Sequence, residues 1–433
     1  MAAPRSLNDA QQGDYMRLLH TADWHIGQTI QGYDRSAEHR AAFAALIAIV
    51  KDRTPDALVV AGDVFDHQNP SGDAFKLFYE TLIALKAAHS SMCIVISAGN
   101  HDAAGRLEAP APLLDALGVH VIGNVRRAHG VVEAARHLVT VNNDSGRVLG
   151  EIVAVSYPTA TCLPPFGSLE REDGRSPIIE GTRALYADII ERSGAGRRGL
   201  PLVLTGHLHV AGGLESEGAE RRILVGGQHA VPAGIFPPHA SYVALGHLHR
   251  AQTFDVSKTG GPLVRYAGSL FPLSASEIGY DHGVTLVTLE EASATAEHIP
   301  IPRPVPFLRL PREGALAFAE LEAAVTAAGR GGDAAITERP FAQVMLERDG
   351  LPPDYRSRVD ELAEKHGVRV VEVRIPSPAL ACDIEIASPG ARLAELNPAD
   401  LFVKAFERRH GKPPLEQHIR AFHTALARAE AED

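Results

Sequence analysis

Three short apolar runs early in the chain each end in groups able to bind cations or move protons. Leu18-Leu19 leads through His20-Thr21-Ala22 into Asp23-Trp24-His25. Ala57-Leu58-Val59-Val60-Ala61 leads into Gly62-Asp63, and Cys93-Ile94-Val95-Ile96-Ser97 into Gly99-Asn100-His101-Asp102. Runs this short, rich in Val and Ile and bounded by glycine, read as buried strands. In an open α/β sheet the functional groups collect beyond the carboxyl ends of such strands. The stretch therefore predicts three strand ends that deliver carboxylate, imidazole and amide groups to one rim. Between the first two strands, Phe43, Leu46, Ile47 and Val50 mark one helical face over residues 38–52, which gives a parallel βαβ unit. The next helix, 73–88, carries Phe75, Leu77, Phe78, Tyr79, Leu82, Ile83 and Leu85. That is too apolar for one buried stripe. Deep packing accounts for it, and so does a second buried face at a subunit contact.

The pattern recurs late in the chain. Leu202-Val203-Leu204 runs into Thr205-Gly206-His207-Leu208-His209, and Tyr242-Val243-Ala244-Leu245 into Gly246-His247-Leu248-His249. Asp23, His25, Asp63, Asn100, His207, His247 and His249 are thus candidate metal ligands, with His101 and Asp102 beside them. Each alone has a bland explanation, because Gly-Asp is common turn chemistry and a rim histidine is ordinarily just hydrogen-bonded. Five clusters with complementary donors change the balance. Carboxylate with imidazole suits divalent manganese, iron or zinc, and an aspartate at a strand end can bridge two such ions. Asn100 would add a ligand without charge. His101 would then act as an acid, with Asp102 to fix its ring. His209, His67 and His229 are weaker candidates for metal contact.

Composition bounds the function less sharply. The formal net charge of −11 is awkward for a nucleic-acid partner, which usually selects basic surface. Cys93, Cys162 and Cys382 are scattered, which excludes a disulfide framework or zinc-thiolate site and points to a reducing, cytoplasmic setting. No apolar run approaches the ~18 residues of a membrane span. Residues 1–15 hold no apolar secretory core and read as a disordered extension.

Farther along, Leu138-Val139-Thr140-Val141 and Ile152-Val153-Ala154-Val155 read as strands, 182–192 as a helix and 164–177 as a loop. A Pro-rich join, 299–306, separates a first domain, 16–300, from a small α+β unit over 301–380. That unit has strands at 307–310, 343–346 and 368–375, and helices over 314–327 and 354–366. It has 11 Lys and Arg against 12 Asp and Glu, so charge does not say what it binds. A linker and two helices fill 381–433. Asn397-Pro398 opens the first helix, with Leu401, Phe402, Ala405 and Phe406; Gly411 and Pro413-Pro414 end it. The second carries Leu415, Ile419, Phe422 and Leu426. Two helices this short either pack back on the protein or receive a partner helix.

Asp-x-His, Gly-Asp, Gly-Asn-His-Asp, Gly-His and Gly-His-x-His, in that order, resemble the signature of calcineurin-like metallophosphoesterases. Within them the chain resembles the SbcD family of nuclease subunits, related to the Mre-eleven nucleases. Leu19 to Gly27, Ala61 to Asp66, Ala244 to Arg250 with Gln252, Tyr266-Ala267-Gly268-Ser269 and the domain order carry that likeness. It implies an α/β fold, a two-sheet sandwich flanked by helices with a small α+β cap and C-terminal helices. It implies two divalent ions, manganese in the family. Asp23, His25, Asp63 and His249 would hold the first, and Asp63, Asn100, His207 and His247 the second. His101 would act on the leaving oxygen, supported by Asp102. The implied partners are DNA, contacted by the cap, and an SbcC-type ATPase whose coiled coil receives the C-terminal helices. A homodimer within a heterotetramer is also implied. Ala22 stands where many relatives have Ser, and Leu270 closes a Gly-Ser-x segment that in relatives is often followed by Pro. A small-molecule phosphodiesterase or phosphatase of the same superfamily is the alternative, and it would leave cap and C-terminal helices without a task.

Overall fold

Strands apolar on both faces need cover on both sides, and a four-layer arrangement of helices, sheet, sheet and helix provides it. The computed structural model describes residues 15–376 except 160, 165–175, 217–229, 255, 257–259 and 291–292. Beyond these it describes 402–403, 406–407, 412–415, 418–419 and 421–422. Of the expected extension over 1–15, Tyr15 instead opens a strand, pairing with Glu290, and 1–14 lie outside the described residues, as do 165–175 of the expected loop, His229 and the Asn397-Pro398 cap.

The first sheet uses β1 (Tyr15–Thr21), β2 (Ala57–Ala61), β3 (Cys93–Ser97) and β4 (Val119–Ile122). The second uses β5 (Leu138–Asn142), β6 (Val148–Val153), β7 (Leu202–His207), β8 (Tyr242–Gly246), β9 (Gln252–Phe254) and β10 (Leu263–Tyr266). A hairpin, β11 (Gly283–Glu290) and β12 (Ser293–Pro300), returns to the first sheet. The strand orders are β12-β11-β1-β2-β3-β4 and β9-β10-β8-β7-β6-β5. β1, β2, β3 and β4 are parallel, while β11 joins β1 antiparallel, Leu18 opposite Val287.

Alternation along each strand sorts the core into layers. Leu18, Val59 and Val95 meet Val203, Tyr242 and Ala244 between the sheets. Leu19, Leu58, Val60 and Ile94 face α1 (Ser36–Arg53) and α2 (Gly72–Ala88). Val153, Leu204 and Val243 face α3 (Pro177–Ser193). The expected βαβ unit is present, α1 spanning from β1 to β2. It ends where Thr54 turns left-handed and donates its N–H to the Val50 carbonyl at 2.9 Å. α2 starts on the Ser71 side chain, which accepts from the Ala74 N–H at 3.1 Å. Its Phe78, Leu82 and Leu85 are buried, whereas Ile83 is 64% exposed.

A third sheet, all parallel, consists of β13 (Phe307–Leu310), β14 (Phe341–Met345) and β15 (Arg369–Arg374). One face carries α4 (Leu321–Ala328) and α5 (Tyr355–His366), with Leu321, Val325, Val344 and Val359 between them. The other packs Phe307, Phe341 and Val371 on Ile30, Tyr33, Ala275 and Ile278. Two expectations need correction. The helix expected from Gly314 starts only after Ala317, because Leu316 pairs with Leu346 and donates its N–H to the Met345 carbonyl. Ile299 and Pro300 belong to β12 and not to a linker.

Residues 377–433 form a separate unit. Among its described residues, Phe402 stacks on Phe422 with centroids 4.5 Å apart, and the Phe406 ring lies 4.7 Å from His418. These described rings of the two stripes face each other. Among the described residues no helix is long and apolar enough to cross a membrane.

His20 is wholly buried between the sheets, its Nδ1 2.8 Å from the Tyr242 hydroxyl. Burial, helped by the Arg265 charge, pushes its pKa from 6.5 down to about 3. The unfolded chain takes up a proton there that the folded chain refuses, so stability falls as pH drops below the unfolded value. This amounts to about 2 kcal/mol between pH 7 and pH 5. His20→Gln is expected to remove that share of the acid sensitivity. Urea melts of both proteins at the two pH values check it; an identical pH slope would refute it.

Candidate metal centre

The ends of β1, β2 and β3 meet the ends of β7 and β8 at hydrogen-bonding distance. Asp23 Oδ1 accepts the His247 N–H at 2.9 Å, and His207 Nδ1 lies 2.9 Å from the Ala61 carbonyl. So close an approach leaves no room for a side chain at certain positions. A Cβ on Gly246 would stand 1.8 Å from the Ala61 oxygen, and one on Gly99 2.1 Å from Asp63 Oδ1. Gly246→Ala is expected to spread the two sheets and destabilise the fold by about 1–3 kcal/mol. It should also lower bound metal, read by thermal melting and metal analysis of the purified variant.

Asp23, His25, Asp63 and His247 adopt positive φ angles of 52, 46, 48 and 106°. Such strain in residues other than glycine costs about 1–3 kcal/mol each and collects at functional sites. Here it turns the side chains off the strand ends into one space. Asp23, Asp63, His207 and His249 are at most 4% exposed.

One nitrogen of three imidazoles is tied down from behind. His25 Nδ1 lies 3.1 Å from Asp66 Oδ1, His249 Nδ1 2.9 Å from Glu277 Oε1, and His207 Nδ1 is held by Ala61. In each ring Nε2 is then the nitrogen presented as a metal ligand. Asp63 Oδ1 accepts the His101 N–H at 2.8 Å. Its Oδ2 lies 3.6 Å from His25 Nε2 and 3.2 Å from His207 Nε2, between the two halves of the cluster. Asn100 Oδ1 sits 3.0 Å from His207 Nε2 and 3.2 Å from His247 Nδ1. Ligand atoms of Asp23, His25 and His249, and of Asp23, Asp63 and His207, lie within 4.8 Å of one another.

Asp23 Oδ2 and His25 Nε2 are buried without a hydrogen-bond partner. A buried polar atom left so costs about 1–3 kcal/mol, and a cation facing both would relieve it. The residues therefore fit a divalent metal. Charge inside the cluster is strongly coupled. Burial alone would lower the His207 imidazole, but the charge and hydrogen bond of Asp63 carry it up to about 9. Burial would raise Asp63, yet His207, His25 and His101 hold its carboxyl well below the usual range. His247 is driven well below its ordinary value by burial and by its neighbour His207.

Seven expected ligands converge, and the acids beside them divide. His101 is nearly buried, with Nδ1 2.6 Å from the Asp66 carbonyl. Asp102 does not hold that ring as expected. Its carboxylate accepts the N–H groups of Val64, Phe65 and Gly99 at 3.1, 2.9 and 2.8 Å. It fastens the loop after β2 to the loop after β3, and burial with the Asp63 charge pushes its pKa up to about 6. His209 pairs with Glu215 at 3.3 Å and His67 with Asp66 at 3.1 Å. Sequence reasoning gave Asp66 and Glu277 no role. Asp66 follows the Gly-Asp motif closely enough to have been found, whereas Glu277 sits in a loop with no pattern of its own.

Two sheets with outer helices, meeting at a buried carboxylate and imidazole cluster, define a metallophosphoesterase. The calcineurin-like phosphoesterase profile matches residues 16–251, and that of the type 5 capsule protein repressor C-terminal domain matches 303–410. A protein of Rhodobacter capsulatus, named as the SbcD component of the SbcCD nuclease, is 44% identical over 391 residues, covering 90% of this chain and 94% of its own. Its namesake in Bacillus subtilis is 39% identical over 63% of this chain and 66% of its own; that of Escherichia coli K12 is 30% identical over 83% and 85%. The chain belongs to the SbcD nuclease family of the calcineurin-like phosphoesterases.

Proposed function

We propose that the chain is a manganese-dependent DNA nuclease, an exonuclease on double-stranded ends and an endonuclease on single strands and hairpins. It works in the cytoplasm with an SbcC-type coiled-coil ATPase in DNA end processing, repair and recombination. The convergence of Asp23, His25, Asp63, Asn100, His207, His247 and His249 from both sheets carries the reading. Asp23, His25, Asp63 and His249 would hold one ion, and Asp63, Asn100, His207 and His247 the other. Divalent cations there supply charge against phosphoryl oxygens and make water a nucleophile at neutral pH.

The chain's own groups do the rest. Asp63 sets the spacing of the two halves through Oδ2, while the His101 N–H fixes its other oxygen. The Asp66 carbonyl accepts a hydrogen bond from the Nδ1–H of His101, so Nε2 is the atom that exchanges a proton with a leaving oxygen. Residues 16–300 form the nuclease domain, 301–380 a DNA-contacting cap and 381–433 the SbcC-binding segment. Two copies associate through α2, whose outer face leaves Ile83 largely exposed.

One assay tests the proposal. Purified protein with Mn2+ is incubated with labelled duplexes and hairpins, and separately with a generic phosphodiester. Cleavage of DNA is expected. Cleavage of the simple ester but no DNA, even with an SbcC-type ATPase and ATP, would favour the small-molecule phosphodiesterase instead.

A further inference from the structure

The segment from Ser269 to Tyr280 lies between the metal cluster and the third sheet and touches both. On its inner side Glu277, wholly buried, places Oε1 2.9 Å from His249 Nδ1. That carboxylate is fully engaged, because Oε2 accepts the Leu273 N–H at 2.9 Å and the Ser274 hydroxyl reaches Oε1 at 3.2 Å. On its outer side Ala275 and Ile278, flanking Glu277, pack on Phe307, Phe341 and Val371 of the third sheet.

Two arginines complete the connection. Arg369 of β15 lies over one face of Phe341, 3.6 Å from the centroid, and Arg35 lies 5.2 Å from the same centroid. Arg35 is also 4.6 Å from the Phe271 centroid and donates to the Pro272 carbonyl at 2.7 Å. Gln28, bonded to Arg35, donates to the Leu273 carbonyl at 3.0 Å. Both guanidinium groups are nearly excluded from water; Arg35 is held chiefly by the Glu38 carboxylate, which accepts from its Nε and Nη2 at 2.8 Å each, and the Phe341 ring adds a cation-π contact to both arginines.

We infer that Glu277 is a positioning residue for His249 and that docking of the third sheet through Phe341 sets its position, coupling the cap to ion affinity at Asp23, His25 and His249. The inference rests on those residues holding an ion. Loss of the Phe341 ring opens a cavity beneath Ala275 and Ile278, while Arg35 stays paired with Glu38. The segment shifts into that space, and Glu277, between Ala275 and Ile278, moves with it away from His249. A partner of a metal-bound imidazole typically changes affinity by about 10–100-fold.

The full chain is titrated with Mn2+ alone, free ion being read by electron paramagnetic resonance. Glu277→Gln is expected to weaken one ion by about tenfold or more and leave the other unchanged. Phe341→Leu and Phe341→Ala should weaken the same ion in rising order. Val359→Ala, in the core under the far face of that sheet, should leave both unchanged. Full affinity in Glu277→Gln overturns the positioning role. Full affinity in both Phe341 variants, or equal weakening by Val359→Ala, overturns the coupling. Wild-type protein that binds no Mn2+ would instead overturn the metal reading beneath it.

Discussion

Asp63→Asn is expected to abolish cleavage and to reduce the Mn2+ bound at both positions. The amide keeps the shape and the contact with the His101 N–H, so the fold should survive. What it loses is the negative charge opposite His25 and His207, at 3.6 and 3.2 Å. An anionic bridge is what allows two cations to lie side by side, and metal charge contributes several kcal/mol to phosphoryl transfer, about a thousandfold in rate or more. Single-turnover cleavage of a labelled duplex and metal analysis of the same sample measure both. A variant that cleaves at near the wild-type rate would show that Asp63 bridges nothing.

His101→Gln is expected to separate catalysis from metal binding. The backbone N–H that holds Asp63 is kept, so both ions should remain at full occupancy. The side chain loses a proton donor whose ring is set by the Asp66 carbonyl at 2.6 Å. Positioned general acids contribute about 10²–10⁴-fold, and cleavage should fall by that factor. A substrate whose leaving group needs no proton, such as a nitrophenyl ester, should lose far less. If metal is lost along with activity, His101 is a ligand and its separate role is refuted.

Much of this site was legible because the strands that carry it are buried on both faces. Such strands read as unbroken apolar runs, and the polar residues that end them stand out; Leu58 to Asp63 is the plainest case. The alternation that sorts Val59 from Val60 into different layers is invisible in such a run, so the two-sheet architecture came from resemblance and not from pattern. β12 escaped notice because an edge strand exposed on one side reads Ser-Ala-Thr-Ala-Glu-His, with little to distinguish it from a loop. Asp102 was assigned by adjacency. Its loop turns the carboxylate toward backbone N–H groups, which sequence distance does not encode. Glu277 meets His249 from 28 positions farther along the chain, and nothing local marks it.

The distribution of the ligands along the chain bears on how the protein is made. Asp23, His25, Asp63 and Asn100 emerge from the ribosome long before His207, His247 and His249. β1, the strand that opens the first sheet, waits for its partner β11 until residue 290 has been synthesised. Contacts so distant in sequence form late. A half-made chain therefore holds only part of the carboxylate and imidazole cluster, on one unfinished sheet. The order of synthesis itself withholds the destructive chemistry until the whole phosphoesterase fold has closed.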